Sequence, residues 1–210
     1  MRAALPRAFA CALSLLLAAC SSLAPDKPVR ATLYDFGPLA STPAAGPAQA
    51  PIVLEEIESL TTLESSAVLY RLAYADPHQL HPYAQARWVA QPTRLVRQRL
   101  REQLGRDRVV LDPSESASLA RVAGTMPRVL HIELEEFAHV FDSPTQSVGV
   151  IRLRATLMAN TPAGERLIAQ RLVTERAPAR TQDAPGGVRA LAAATDAAAQ
   201  QIGEWLASQK

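Results

Sequence analysis

Over residues 128–176 apolar side chains recur at nearly every second position, which commits a quarter of the chain to extended, half-buried strands. Leu130, Ile132 and Leu134 alternate with His131 and Glu133. The phase then slips by one: Phe137, His139 and Phe141 continue the apolar side, with Glu135 and Glu136 between. One extra residue in an otherwise regular alternation predicts a β-bulge. The next run, Ile151, Leu153, Ala155 and Leu157, alternates without a slip, with Arg152, Arg154 and Thr156 opposite. Pairing Phe137 with Ile151 across a turn at residues 142–146 puts Leu134 beside Leu153 only if a residue bulges near Glu135. Glu133 then faces Arg154, and Arg152 lies near the two glutamates. Residues 160–164 turn the chain into a third strand over 166–176.

The rest of the chain is read around this meander. Short strands are expected at residues 31–36, 52–57, 67–74, 83–89 and 109–111, with a helical turn at Leu60 and Leu63. Asp76-Pro77-His78 is a turn. From Pro92 to Leu104 the spacing of Leu95, Val96, Leu100 and Leu104 suits one helical face, with Arg94, Arg97, Arg101 and Glu102 outside. Asp112-Pro113-Ser114-Glu115 reads as a capping box opening a brief helix to about Val122. A loop over 178–185 leads through Gly186-Gly187 into a last helix over 188–207, whose Ala-rich middle permits close approach to a sheet. The fold class expected is α+β: a mostly antiparallel sheet with two main helices packed on one face.

The first thirty residues follow a different logic. Arg2 and Arg7 precede an apolar stretch over 8–19 that is too short to span a bilayer. Leu17-Ala18-Ala19-Cys20 then reads as a lipobox, so residues 1–19 are a signal peptide and Cys20 is the lipidation site. Diacylglycerol on the thiol and a further acyl chain on the freed amine make a stable anchor where one chain would not. Residues 20–30, with Pro25 and Pro28, are a lipidated tether. Residues 31–210 form a single domain, interrupted by a mobile Pro- and Ala-rich loop at 37–51. Ser21, where an Asp would favour inner-membrane retention in enteric-type bacteria, fits the outer membrane.

Composition removes several functions. Without Arg2 and Arg7 the formal charge falls from +2 to zero, which leaves no electrostatic case for nucleic acid. The two cysteines are Cys11, lost with the signal, and Cys20, so the mature domain offers no disulfide and no thiolate. There is no G-x-S-x-G elbow, P-loop or G-x-G-x-x-G turn. Glu133, Glu135 and Glu136 read as a solvated face with Arg partners rather than an acid pair. His78 and His81 have a spacing a metal can use but no evident third ligand, and the bulge sends His131 and His139 to opposite faces. No catalytic residue, cofactor or metal is expected. Tyr70, Tyr74, Tyr83 and Trp88 lie close together in sequence, either as core or as a surface. Tyr70, Arg71 and Trp88 are the candidate partner-binding residues, because Tyr, Arg and Trp are enriched at interface centres.

The sequence resembles the ABC-type transport auxiliary lipoproteins. The residues that carry the likeness are Leu33-Tyr34-Asp35-Phe36-Gly37, Leu69-Tyr70-Arg71, residues 83–88 before Pro92, the 95–104 helix, residues 134–137, Arg152-Leu153-Arg154-Ala155 and Trp205-Leu206. The resemblance implies a non-enzymatic, outer-membrane partner of an MCE-type periplasmic protein and its ABC transporter, docking a lipid or solvent conduit. Homo-oligomerisation is compatible with it. The alternative is a lipoprotein carrier that holds a lipid in a cavity of its own.

Overall fold

The computed structural model describes residues 30–38, 49–59, 61–115, 126–161 and 164–209. The chain divides after Arg30, and Ala31–Lys210 forms one unit. Cys20, the signal peptide, the tether up to residue 29, most of the Pro/Ala-rich loop and the brief helix beyond Glu115 lie outside the described residues.

The longest strands are where the alternation put them. β7 (Arg128–Ser143), β8 (Gln146–Thr161) and β9 (Gly164–Pro178) form an antiparallel meander. Leu134 pairs with Leu153 and Glu136 with Arg152, so Glu135 is the extra residue of a bulge. Phe137 faces Ile151 and Glu133 faces Arg154, the register expected from the pattern.

The remaining strands attach differently. β2 (Ile52–Leu54), β3 (Glu58–Ser59) and β4 (Ala67–Leu72) all run parallel to β7, along the edge that β8 does not use. They dock in succession, at residues 128–130, 133–134 and 139–141. β5 (His81–Trp88) returns antiparallel to β4, and β1 (Thr32–Tyr34) lies parallel to β5. β6 (Val110–Leu111) lies parallel to β2. The nine-stranded sheet is therefore mixed, which corrects the expectation of a mostly antiparallel one. The reason is visible in β2: Ile52, Val53 and Leu54 are all buried, and a continuous apolar run is how a parallel strand covered on both faces reads.

Helices α1 (Pro92–Leu104) and α2 (Ala184–Ser208) share one core with the sheet. Leu95, Leu100 and Leu104 of α1 and Leu191 and Ile202 of α2 pack with Ile132, Leu134, Ile151 and Leu153. Burying one such aliphatic side chain contributes roughly 1.5–3 kcal/mol. α2 starts at Ala184, earlier than the glycine pair suggested. Asp183 caps it by accepting from the Gly186 N–H at 2.8 Å, and Pro185 fits the first turn, where no N–H is needed. Its alanines 190, 194 and 198 are buried, and Gly149 of β8 sits directly below; a Cβ there would collide with the backbone of Ala190 and Leu191. Half of the expected capping box is present: the Asp112 N–H donates to Glu115 Oε2 at 2.8 Å, while the Asp112 carboxylate is taken by Arg97 and Arg101.

The arginines of α1 are not all outside. Arg97 donates to the carbonyls of Leu54 and Glu55, both at 3.0 Å, and to Asp112 at 2.5 Å. Arg99, which the helical spacing left unassigned, is buried and donates to the carbonyls of Phe36 and Gly37, each at 2.8 Å. Leu33-Tyr34-Asp35-Phe36-Gly37 is thus clasped to α1 through its backbone. Among the described residues no helix is long and apolar enough to cross a membrane.

Candidate functional site

The structure separates the three residues singled out as a partner surface. Trp88 is only 2% exposed and packs edge-on against Phe36 at 5.5 Å and tilted against Phe137 at 5.6 Å. It is a core anchor and lines no surface, which corrects its place in the expected interface. Tyr70 and Arg71, adjacent on β4, point to opposite faces of the sheet because successive strand side chains alternate. Tyr70 lies on the helix side opposite His139 and His81. Arg71, opposite Val140, bonds the carbonyl of Pro77 and so holds the 73–80 loop against the other face.

Around Tyr70 a set of rings steps from the surface into the core. His81 stacks on Tyr70 at 5.3 Å, and Tyr83 lies 4.6 Å from Tyr70. All three are half-buried. The Tyr83 hydroxyl meets His139 Nδ1 at 2.8 Å, and the His139 ring lies 4.4 Å from Phe141. His139 has no exposed surface, and its Nε2 has no partner. It sits under the first turn of α2, where Gly187 leaves the space its ring fills; a Cβ at Gly187 would run into the imidazole.

The electrostatics of this corner follow from burial. Desolvation lowers the His139 pKa to about 4, so the ring is neutral at ordinary pH, and the Asp183 carboxylate opposes that shift. Desolvation raises the Tyr83 hydroxyl, with Tyr70 and Asp183 adding to it. Asp183 itself is held below its usual range by the Thr181 hydroxyl and the Gly186 N–H. The corner is an aromatic step at the rim of the sheet, with a neutral His139 at its inner end and a fixed carboxylate at the helix start. It offers ring faces and a few polar tips, the combination that buries area against a protein partner.

The glutamates of the bulge are paired, as their pattern suggested. Arg152 lies 2.9 Å from Glu136, Arg154 lies 3.5 Å from Glu133, and Arg154 also bonds Glu135. His131 and His139 do lie on opposite faces. Among the described residues His78 and His81 gather no third donor, whereas Glu55, His131 and Glu165 converge. Sequence spacing could not reveal that trio, because its members come from three separate stretches. The Tyr83–His139 contact was equally silent, although the apolar phase had placed His139 on the core side.

This combination of a mixed sheet with two helices on one face is a known fold. Protein XCC0632 from Xanthomonas campestris, described under the domain family DUF330, superposes with a TM-score of 0.68 at 18% identity, over 83% of this chain and 94% of that one. Hypothetical protein CT253 from Chlamydia trachomatis superposes with a TM-score of 0.52 at 8% identity, over 77% of this chain and 98% of its own. At such identities the likeness shows the fold alone. The sequence goes further: the family model of the ABC-type transport auxiliary lipoprotein component matches residues 34–203, and the chain belongs to that family. No curated protein matches it. The family is one of transport components rather than enzymes.

Proposed function

We propose that the protein is an outer-membrane lipoprotein, anchored through Cys20, that docks the periplasmic MCE protein of an ABC-driven intermembrane lipid or solvent transport system. The observation that carries this reading is the family match over residues 34–203, joined to a domain whose distinctive surface is an aromatic rim. Residues 31–210 act as one binding domain, and residues 20–30 let it reach away from the headgroups by at most ~35 Å. The contact surface we assign is Tyr70 and His81 at the rim, with Tyr74, 48% exposed, and the loop that Arg71 holds. No catalytic step is part of the role.

The cavities disfavour the carrier reading. Among the described residues, two on the helix side have volumes of about 130 and 140 Å³, below the roughly 300–1,000 Å³ of ligand pockets. A larger notch of about 530 Å³ beside the bulge, lined by Glu58, Ser59, Glu133, Leu134 and Glu135, is open to solvent rather than enclosed as a carrier cavity would be.

Two experiments test the proposal. Cys20→Ser should move the protein from the membrane fraction to the soluble periplasm; full retention in the membrane would place the anchor elsewhere. Tyr70→Ala and Arg71→Glu should each lower capture of the cognate MCE protein at least tenfold while thermal unfolding still shows a folded domain. Undiminished capture by folded variants would remove this surface from the contact.

A further inference from the structure

On the sheet face away from the helices, three side chains from separated stretches converge. Glu55 follows β2, His131 is on β7 and Glu165 opens β9; each presents a ligand atom within 4.8 Å of the other two. His131 Nδ1 lies 2.8 Å from Glu55 Oε2, and its Nε2 lies 3.8 Å from Glu165 Oε2. Carboxylate oxygens therefore face both nitrogens of one ring. A neutral imidazole carries one ring proton, so whichever nitrogen holds it, the other turns a lone pair toward a carboxylate. The 2.8 Å contact has the length of an Nδ1–H···O bond to Glu55, which leaves the Nε2 lone pair facing Glu165 across a gap that water or a metal ion can fill.

The length of that gap is informative. A proton on Nε2 would look for an oxygen at 2.7–3.2 Å, and 3.8 Å is too long for such a bond. An ion bound to imidazole nitrogen and carboxylate oxygen at ~2.0–2.2 Å each holds its ligand atoms about 3–4 Å apart. We propose that His131 Nε2 and Glu165 bind a zinc ion at the surface, with Glu55 orienting the ring through Nδ1 and water completing the shell. The imidazole favours a first-row transition ion over calcium or magnesium, which take oxygen donors.

The three residues are positioned rather than merely near. Arg97 fixes the peptide of Glu55 by donating to its carbonyl at 3.0 Å, and the Glu55 N–H bonds the Leu130 carbonyl at 3.3 Å. His131 is locked in the ladder opposite Thr156, and Glu165 opposite Asn160 beside the β8–β9 turn. The three side chains are between 35% and 46% exposed, so an ion can enter and the Glu165 carboxylate can close the last ångström. Bound there, zinc would brace the β2–β3 connection and the start of β9 across β7. The mature sequence has no cysteine pair to make such a brace.

The test uses the mature lipoprotein in detergent, purified without a polyhistidine tag and stripped of metal. Titration calorimetry with Zn²⁺ should give one ion per chain, with Mn²⁺ weaker. His131→Gln and Glu165→Gln should each weaken zinc at least tenfold and abolish the rise in unfolding temperature that zinc gives the wild type. The double variant His78→Gln/His81→Gln should bind zinc like the wild type. Glu165 is exposed at a strand start, so its variant folds even if the His131 variant does not. Absence of stoichiometric binding by folded wild type, or unchanged affinity in folded Glu165→Gln, would overturn the proposal.

Discussion

The two edges of β7 are built on opposite principles. Along one, β8 pairs antiparallel over nearly the whole strand, following a turn of two residues, Pro144 and Thr145. Along the other, β2, β3 and β4 take three short parallel stretches, each reached across many residues of chain; Ile52 finds Arg128 and Tyr70 finds His139. The first edge is local and closes a short loop. The second depends on long-range closure and on pieces too short to hold alone. β7, β8, β9 and α2 therefore form the frame, and the N-terminal strands are fitted to it. The aromatic rim stands where the two systems meet, since Tyr70 and Tyr83 come from the fitted strands and His139 from the frame.

The hardest way to break that division is to unseat α2 from the frame. Gly149→Val places a side chain where the helix backbone at Ala190 and Leu191 already lies. Repacking a side chain cannot relieve a collision with backbone, so the cost should reach at least ~3 kcal/mol, the upper end of overpacking. Urea unfolding would measure it. Leu33→Ser, on the three-residue edge strand β1 where Leu33 is 64% exposed, should change stability by no more than ~0.5 kcal/mol. Equal losses in the two variants would mean that the fitted strands are as integral as the frame.

The junction offers a smaller, pH-dependent effect. His139 titrates at about 4 in the folded protein, against 6.5 for an unperturbed ring. The unfolded chain therefore takes up this proton first as pH falls. The stability owed to burying the neutral ring is complete above about pH 6.5 and is lost as pH drops toward 4, by about 3 kcal/mol in all. His139→Leu should flatten the stability profile in that window. A variant that keeps the full wild-type slope would show that other groups carry it. The lost term lies at the start of α2, so tryptophan fluorescence of the core and helical circular dichroism should report the loss together.

How far the sequence disclosed these features follows the same division. The meander, its bulge and the pairing of Glu133 with Arg154 were legible, because period-two alternation fixes faces and a one-residue slip shows where the ladder breaks. The two helices were legible from spacing, though Asp183 was passed over as the cap. Parallel docking was not legible, because a run of three residues such as Ile52-Val53-Leu54 carries no alternation and names no partner. Composition leaves Trp88 open between core and surface; its pairing beside β1 and β4 turns it inward against Phe36. Arg99 was invisible for a related reason: nothing local says that a charged residue on α1 will meet two free carbonyls from a segment sixty residues upstream. The rim and the Glu55, His131 and Glu165 trio are both products of that non-local docking.

The smallest effect separates charge from register within the frame. Glu136 and Arg152 stand directly opposite each other just past the bulge, with their charged atoms 2.9 Å apart. Arg152 is 42% exposed, so water screens the pair, and a cross-strand ion pair of this kind contributes ~0.2–1 kcal/mol. A double-mutant cycle with Glu136→Gln and Arg152→Gln should give a coupling inside that range, shrinking further as salt is added. Register on this edge is held instead by the apolar phase, since slipping one residue would turn Ile132, Leu134 and Phe137 out of the core. The neutral double variant should accordingly keep the wild-type cross-strand contacts between Leu134 and Leu153 in nuclear Overhauser spectra. A coupling well above 1 kcal/mol, or loss of those contacts, would make the arginine and glutamate ladder a determinant of register, and the frame would then depend on its charges as much as on its alternation.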